Sequence, residues 1–190
     1  SNGTLYQTSD GSTRGSVISS TGTAVSDGSN RVIYVSTSNG NGNSHGNFTF
    51  KVNDGTVDSE AGTVTVNVTA VNDAPTISSN PSVTTNEDVQ YAYSLSNFNY
   101  TDVDDDAISL VKITELESAG ILYLDADNDD TYDSGEDVTD EQEVTASNIS
   151  NGHLRFSPAS NENGSSYTTF TFKVSDGTVY SSSAGTMTIN

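Results

Sequence analysis

The chain has 190 residues, of which 26 are Asp or Glu and six are Lys or Arg, a formal charge of -20 that repels the phosphates of nucleic acids and of anionic membrane surfaces. It holds no cysteine and no tryptophan, which excludes a disulfide framework and a thiolate-held metal. No apolar run approaches the roughly 18 residues of a membrane-spanning helix, so no membrane insertion is expected.

Val, Ile, Leu and Phe together number 39, and Ser and Thr 55, the makeup of a β-rich chain with a thin core. Period-two alternation predicts the strands. In chain order it marks Val64, Val66 and Val68, then Tyr91, Tyr93 and Leu95, then Leu154 and Phe156, then Phe170, Phe172 and Val174. The one helical candidate, Thr145 to Asn151, is a single turn with Ile149 as its only large apolar residue. Gly, Asn, Asp and Ser punctuate the strands as turn formers, and short strands joined in this way predict antiparallel β-sandwiches. Tyr91, Tyr93, Tyr123 and Phe156 are expected in the core.

The end of the chain repeats its first third. Phe48-Thr49-Phe50-Lys51-Val52-Asn53-Asp54-Gly55-Thr56-Val57 matches Phe170-Thr171-Phe172-Lys173-Val174-Ser175-Asp176-Gly177-Thr178-Val179, and Ala61 to Asn67 matches Ala184 to Asn190. Upstream, Val32 pairs with Leu154, Tyr34 with Phe156, and Leu5-Tyr6 with Leu122-Tyr123. Such self-similarity indicates a repeat array. A boundary falls at Asn72-Asp73-Ala74-Pro75, where proline bars a continuing ladder. Residues 1–72 are read as the C-terminal part of one unit, 73–75 as a linker, and 76–190 as a complete unit. Residues 76–118 have no counterpart ahead of Leu5, so the first unit is expected to be truncated, without its opening strands.

The carboxylates are concentrated. Asp102, Asp104, Asp105 and Asp106 form one group, and ten more lie between Asp125 and Glu143. Two carboxylates about 4 Å apart repel by about 1 kcal/mol in water and about 4 kcal/mol at an effective dielectric of 20, a sign that a bound cation reverses. Asp125, Asp127, Asp129, Thr131, Asp133 and Glu136 occupy positions 1, 3, 5, 7, 9 and 12 of an EF-hand-type calcium loop. Two departures stand out: Asp130 replaces the glycine usual at position 6, and no helices flank the loop. Calcium, with six to eight oxygens at about 2.3–2.6 Å, suits such a loop better than octahedral magnesium. The acidic stretch 125–143 is read as an insertion between strands. Asp54 and Asp176, each before glycine, are hairpin-turn residues on sequence grounds.

Phe50-Lys51-Val52-Asn53-Asp54-Gly55, the strand to Thr69 and Val71-Asn72-Asp73-Ala74-Pro75 resemble the closing strands and linker of a cadherin-like repeat. Thr101-Asp102-Val103-Asp104-Asp105-Asp106-Ala107 resembles the paired-aspartate motif of such repeats, and Asn86-Glu87-Asp88 falls where they carry an acidic residue on the first strand. Together with Asn161-Glu162-Asn163-Gly164, these segments make the chain similar to the bacterial cadherin-like repeats of large secreted adhesins. The resemblance implies an all-β fold of tandem Ig-like, cadherin-like Greek-key sandwiches of seven strands, stiffened by calcium at the junctions. It also implies that Asn72 and Asp73 meet Asp102, Asp104 and Asp176 around one ion, with Glu87 serving the opposite end. Ala70 and Ala74 replace an aspartate and an asparagine of the vertebrate-type linker, so one ion, or two at most, is expected there.

Catalysis lacks its residues. His45 and His153 sit in no H-E-x-x-H pattern and beside no G-x-S-x-G turn, and the clustered carboxylates lack the aromatic surroundings of a glycosidase. The residues therefore point away from an enzyme. They point to a calcium-rigidified structural or adhesion repeat of a large exported protein at the bacterial cell surface, with calcium and neighbouring repeats as partners. The alternative is a calcium-dependent module binding a carbohydrate or a cell-surface protein, for which Tyr132 and Tyr180 are the only candidate platforms.

Overall fold

The computed structural model describes residues 2–190, and the chain divides between Val71 and Asn72 into two compact units. Unit 1 is built from two antiparallel pairs: β1 (Gly3–Gln7) with β2 (Val32–Ser36), and β3 (Gly42–Phe50) with β4 (Gly62–Val68). Leu5 faces Tyr34 across the first pair and Phe48 faces Val64 across the second. Alternation along β4 leaves every second residue half-buried rather than buried. Among the described residues of this unit no large apolar side chain is fully buried, and Phe50 and Val52 are 46% and 62% exposed.

With so thin a core, polar contacts close the long loop between β1 and β2. The Gln7 side chain donates to the Ala24 carbonyl at 2.7 Å and accepts from the Ser26 N–H at 3.0 Å. Buried Asp27 pairs with Arg31 at 2.9 Å, and that hydrogen bond lowers its pKa to about 2. A depressed carboxylate pKa stabilises the fold above the unfolded value of 3.8 and loses that contribution as pH falls through the folded value. Unit 1 is therefore expected to lose stability between pH 4 and about 2, a window that circular dichroism would read. In Arg31→Ala that pH-dependent loss should shrink, because the folded and unfolded pKa values of Asp27 draw together.

Unit 2 contains β5 (Thr76–Ile77), β6 (Ser82–Val83), β7 (Tyr91–Ala92), β8 (Tyr100–Thr101), β9 (Leu110–Glu115) and β10 (Ile121–Leu124). They are followed by β11 (Glu143–Thr145), the short helix α1 (Ala146–Ser150), β12 (Leu154–Ser157), β13 (Thr168–Ser175) and β14 (Gly185–Ile189). A five-stranded sheet runs β11-β9-β13-β14-β6, a three-stranded one β10-β12-β7, and β5 pairs with β8. All pairings are antiparallel except β14 with β6.

The inward residues of both sheets make one core. Val111, Ile113, Phe172, Val174, Met187, Leu154 and Phe156 are each 0% exposed, and burying such a side chain contributes about 1.5–3 kcal/mol. Phe98 meets Phe172 edge-on at 5.0 Å, and Tyr93 meets Phe170 at 5.7 Å, geometries that suit the aromatic quadrupole. Gly120 stands at φ +74, where a Cβ would run into the Phe156 ring and the Ser157 carbonyl, so the turn into β10 needs glycine. Thr145 caps α1 by accepting from the Asn148 N–H at 3.1 Å, and Ile149 drops into the core.

One predicted strand is shorter than its alternation suggests. β7 ends at Ala92, and Leu95–Asn97 form a 3-10 turn instead. The Ser94 N–H donates to Asn97 Oδ1 at 2.7 Å, a local side-chain bond that competes with the ladder. Tyr93 is buried all the same, at 1% exposure.

Candidate metal centres

β10 delivers Asp125 into the interior with no exposed surface. Its Oδ1 accepts from the Asp129 N–H and its Oδ2 from the Asp130 N–H, both at 3.2 Å, so the loop folds back over its first residue. Arg155 Nε lies 3.1 Å from Asp125 Oδ2, and its Nη2 pairs with Asp130 Oδ1. At the other end Glu136 closes the loop: Oε1 accepts from the Ala126 N–H at 2.7 Å and Oε2 from the Asp133 N–H at 3.0 Å. Asp130 takes the position usually held by glycine with φ at 66. A short polar side chain tolerates that left-handed conformation, and the sharp turn is made without glycine.

The predicted loop residues converge in two overlapping groups. One carboxylate oxygen from each of Asp125, Asp127 and Glu136 lies within 4.8 Å of the others, and the same holds for Asp127, Asp129 and Asp133. Oxygens on opposite sides of a calcium ion stand roughly 4.6–5.2 Å apart, so the spacing fits such an ion. Asp127 belongs to both groups. Its pKa is raised by loss of water contact and by the Asp129 charge, the cost of holding like charges together without a counterion. The Thr131 hydroxyl and N–H donate to Asp129 Oδ1 at 2.6 and 2.8 Å, which lowers the Asp129 pKa. Thr131 thus spends its hydroxyl on orienting a neighbouring carboxylate.

The second group is at the start of unit 2. Oxygens of Asp102, Asp104 and Asp106 lie within 4.8 Å of one another. The Asp73 N–H donates to Asp104 Oδ2 at 2.7 Å, the Asp104 N–H to Asp102 Oδ1 at 2.8 Å, and Asn72 Nδ2 to Asp176 Oδ2 at 2.9 Å. Asn72, Asp73, Asp102, Asp104 and Asp176 are therefore tied to one another. Burial pushes the Asp176 pKa up, but hydrogen bonds from Asn72, Val179 and Thr178 outweigh it and the net shift is downward. Asp102 Oδ2 is buried without a hydrogen-bond partner, an orphaned acceptor that a cation would satisfy. An all-oxygen donor set with that vacant acceptor fits a hard cation such as calcium.

Glu87 stands apart from these groups, its Oε2 accepting from Asn163 Nδ2 at 2.9 Å. Asp54 makes the same turn as Asp176, its Oδ1 accepting from the Thr56 and Val57 N–H groups at 2.8 and 2.9 Å. Unit 1 places Thr8 where unit 2 has Asp125, and Thr8 Oγ1 caps its loop by accepting from the Gly11 N–H at 2.9 Å. The tyrosines proposed as platforms are both engaged. The Tyr132 hydroxyl donates to Asp137 and its ring packs edge-on against Tyr123 at 5.6 Å, while the Lys112 ammonium lies 4.9 Å from the Tyr180 ring centroid.

Asp106, which the sequence already sets in the same aspartate run, completes the group around Asp102. One contributor was missed from sequence. Arg155 is one of three basic residues in unit 2, and its register opposite Tyr123 sets it beside Asp125. That register follows from a pairing no local pattern announces.

Residues 72–190 match the family model described as bacterial Ig domain. No curated protein and no solved structure matches the chain. The match covers unit 2 from its linker residue Asn72 to the last strand, and the sandwich seen there is the fold it describes. The chain belongs to the bacterial Ig domain family.

Proposed function

We propose that the chain is a calcium-rigidified structural and adhesion repeat of a large exported cell-surface protein. The observation that carries this reading is the convergence of Asp125, Asp127, Asp129, Asp133 and Glu136 within one short loop. Family membership supports the structural and adhesion part of the reading. A bound divalent cation supplies positive charge that turns the mutual repulsion of these carboxylates into cross-linking. The chain's own residues supply the frame: Arg155 anchors Asp125, Glu136 ties the loop's two ends, and Asn72 and Asp73 tether the linker to Asp176 and Asp104. The histidines take no part. The His45 ring bonds the backbone carbonyls of Asn41 and Asn2, and His153 acts through its backbone, its N–H donating to the Asn148 carbonyl and its carbonyl accepting from the Asp125 N–H.

Extracellular modules bind calcium at about 10⁻⁴ to 10⁻³ M, so an extracellular medium would load this site and cytosol would leave it empty. Calorimetric titration of calcium into the chelator-stripped chain is expected to give saturable heat. At tenfold excess over Kd the stabilisation is about 1.4 kcal/mol, a rise in Tm of roughly 5–10 °C for a domain of this size. Asp127→Asn, which removes the carboxylate shared by both loop groups, is expected to abolish the loop's share of that heat. Absence of heat and of any gain in Tm would overturn the reading.

A further inference from the structure

Both repeated hairpins carry a guanidinium at the loop they enclose. In unit 1, where β1 and β2 pair as β10 and β12 do in unit 2, Arg31 ties the loop together. Its Nε and Nη2 donate to the Asp27 carboxylate at 2.9 and 3.0 Å, and its Nη1 to the Asp10 carbonyl at 2.8 Å. In unit 2 Arg155, on β12, reaches the loop that follows β10 and meets Asp125 and Asp130. Of the two loops, only the second gathers carboxylates at ion-binding spacing among the described residues. Its guanidinium therefore shares Asp125 with any cation those carboxylates attract.

Asp125 has limited room for both. A carboxylate offers about four acceptor sites. Oδ1 takes the Asp129 N–H, while Oδ2 takes the Asp130 N–H and faces Arg155 Nε at 3.1 Å. That Nε is buried but makes no aligned hydrogen bond, so Arg155 acts on Asp125 through charge. The carboxylate is oriented by the two backbone donors, and the Asp125 N–H is itself fixed on the His153 carbonyl at 2.8 Å. Glu136 closes the loop on the Ala126 and Asp133 N–H groups. None of these bonds uses Arg155.

We infer that Arg155 is the resident counter-cation of the acidic loop: it holds the loop folded when calcium is scarce, and by repelling the incoming ion it keeps calcium affinity low. The inference rests on the calcium reading of the loop given above. A calcium ion bonded to an Asp125 oxygen stands about 6 Å from the guanidinium. Repulsion between a single and a double charge at about that range lowers affinity about tenfold in bulk water, and about threefold once physiological salt screens it. In unit 1 the guanidinium does this cross-linking without an acidic run. In unit 2 it is the occupant that calcium must outweigh.

The test is a calcium titration of the isotope-labelled full chain followed by amide NMR, which reads residues 126–136 apart from the group at 102–106. Arg155→Met should bind calcium at the loop at least about threefold more tightly than wild type, whereas Arg155→Lys, which keeps the charge, should stay within about twofold. In chelator the order reverses. The amides of Asp129 and Asp130 should exchange at least about tenfold faster in Arg155→Met than in wild type, and calcium should restore their protection. Arg155→Gln, neutral but able to donate to Asp125, gives the same comparison if the Arg155→Met chain does not fold. Loop binding in both neutral variants that is equal to or weaker than wild type would overturn the inference and leave the calcium reading standing. So would unchanged exchange of Asp129 and Asp130 in chelator. No calcium-induced shift at 126–136 in any of the chains would overturn both readings together.

Discussion

Phe172→Ala is expected to destabilise unit 2 by about 3–5 kcal/mol, the range for deleting a fully buried aromatic ring, while the matching Phe50→Ala in unit 1 costs under about 1 kcal/mol. The two residues occupy the same place in the repeated Phe-Thr-Phe-Lys-Val strand, so the difference isolates environment from chemistry. Phe172 is 0% exposed, set edge-on to Phe98 at 5.0 Å and closed off by Gly185, whose added Cβ would stand 2.9 Å from its ring. A cavity there cannot collapse easily between two sheets. Phe50 is 46% exposed and lies over Gly62, so truncation removes little burial. Urea unfolding followed by residue-resolved hydrogen exchange reads the two units separately. Equal losses in both would mean that the unit 1 strands are packed as tightly as those of unit 2.

Asp125→Ala should cost unit 2 a comparable amount, about 3–5 kcal/mol, for a different reason. Asp125 has no exposed surface, accepts two backbone N–H groups, and faces the Arg155 guanidinium, whose side chain is only 15% exposed. Removing the carboxylate leaves a largely buried positive charge with only the exposed Asp130 carboxylate beside it, and two N–H groups without acceptors. The same substitution is expected to abolish calcium binding at the loop. Adding Arg155→Met should return at least about 1 kcal/mol of the stability, because an apolar side chain in that place carries no unpaired charge. It should not return calcium binding. A double variant no more stable than Asp125→Ala alone would show that the cost comes from the backbone turn and not from the ion pair.

Much of the architecture was legible because it is written twice. The repeated segments locate β3 and β13, β4 and β14, β2 and β12, and each pair lies where the alignment sets it. Period-two alternation marked Phe170, Phe172 and Val174 as inward residues, and all three are buried. The two-residue strands β5, β6 and β8 were not legible, because two residues carry no period. Their positions depend on pairing with distant strands, as Thr188 and Ile189 pair with Ser82 and Val83. The turn at Leu95–Asn97 was hidden for the opposite reason: Tyr91, Tyr93 and Leu95 alternate as a strand would, while a local bond from Ser94 to Asn97 decides the geometry. In the acidic loop the spacing of carboxylates was informative since alternate residues can turn towards one centre. Arg155 was not, since its place beside Asp125 comes from the register of β10 against β12.

The link between these sites and a mechanical role is ordinary electrostatics. Ten carboxylates between Asp125 and Glu143 and four more in residues 102–106 resist their own ordering, and Arg155 compensates only part of that charge. A divalent cation at each group would make the ordered loop and the tethered linker the favoured state. The most direct measurement is a crystal structure grown in millimolar calcium with anomalous scattering recorded. The account predicts a calcium peak among Asp125, Asp127 and Glu136 and another among Asp102, Asp104 and Asp106, with oxygens at about 2.3–2.6 Å. Residues 102–106 and 125–136 splayed towards solvent, with no peak at either place, would contradict it.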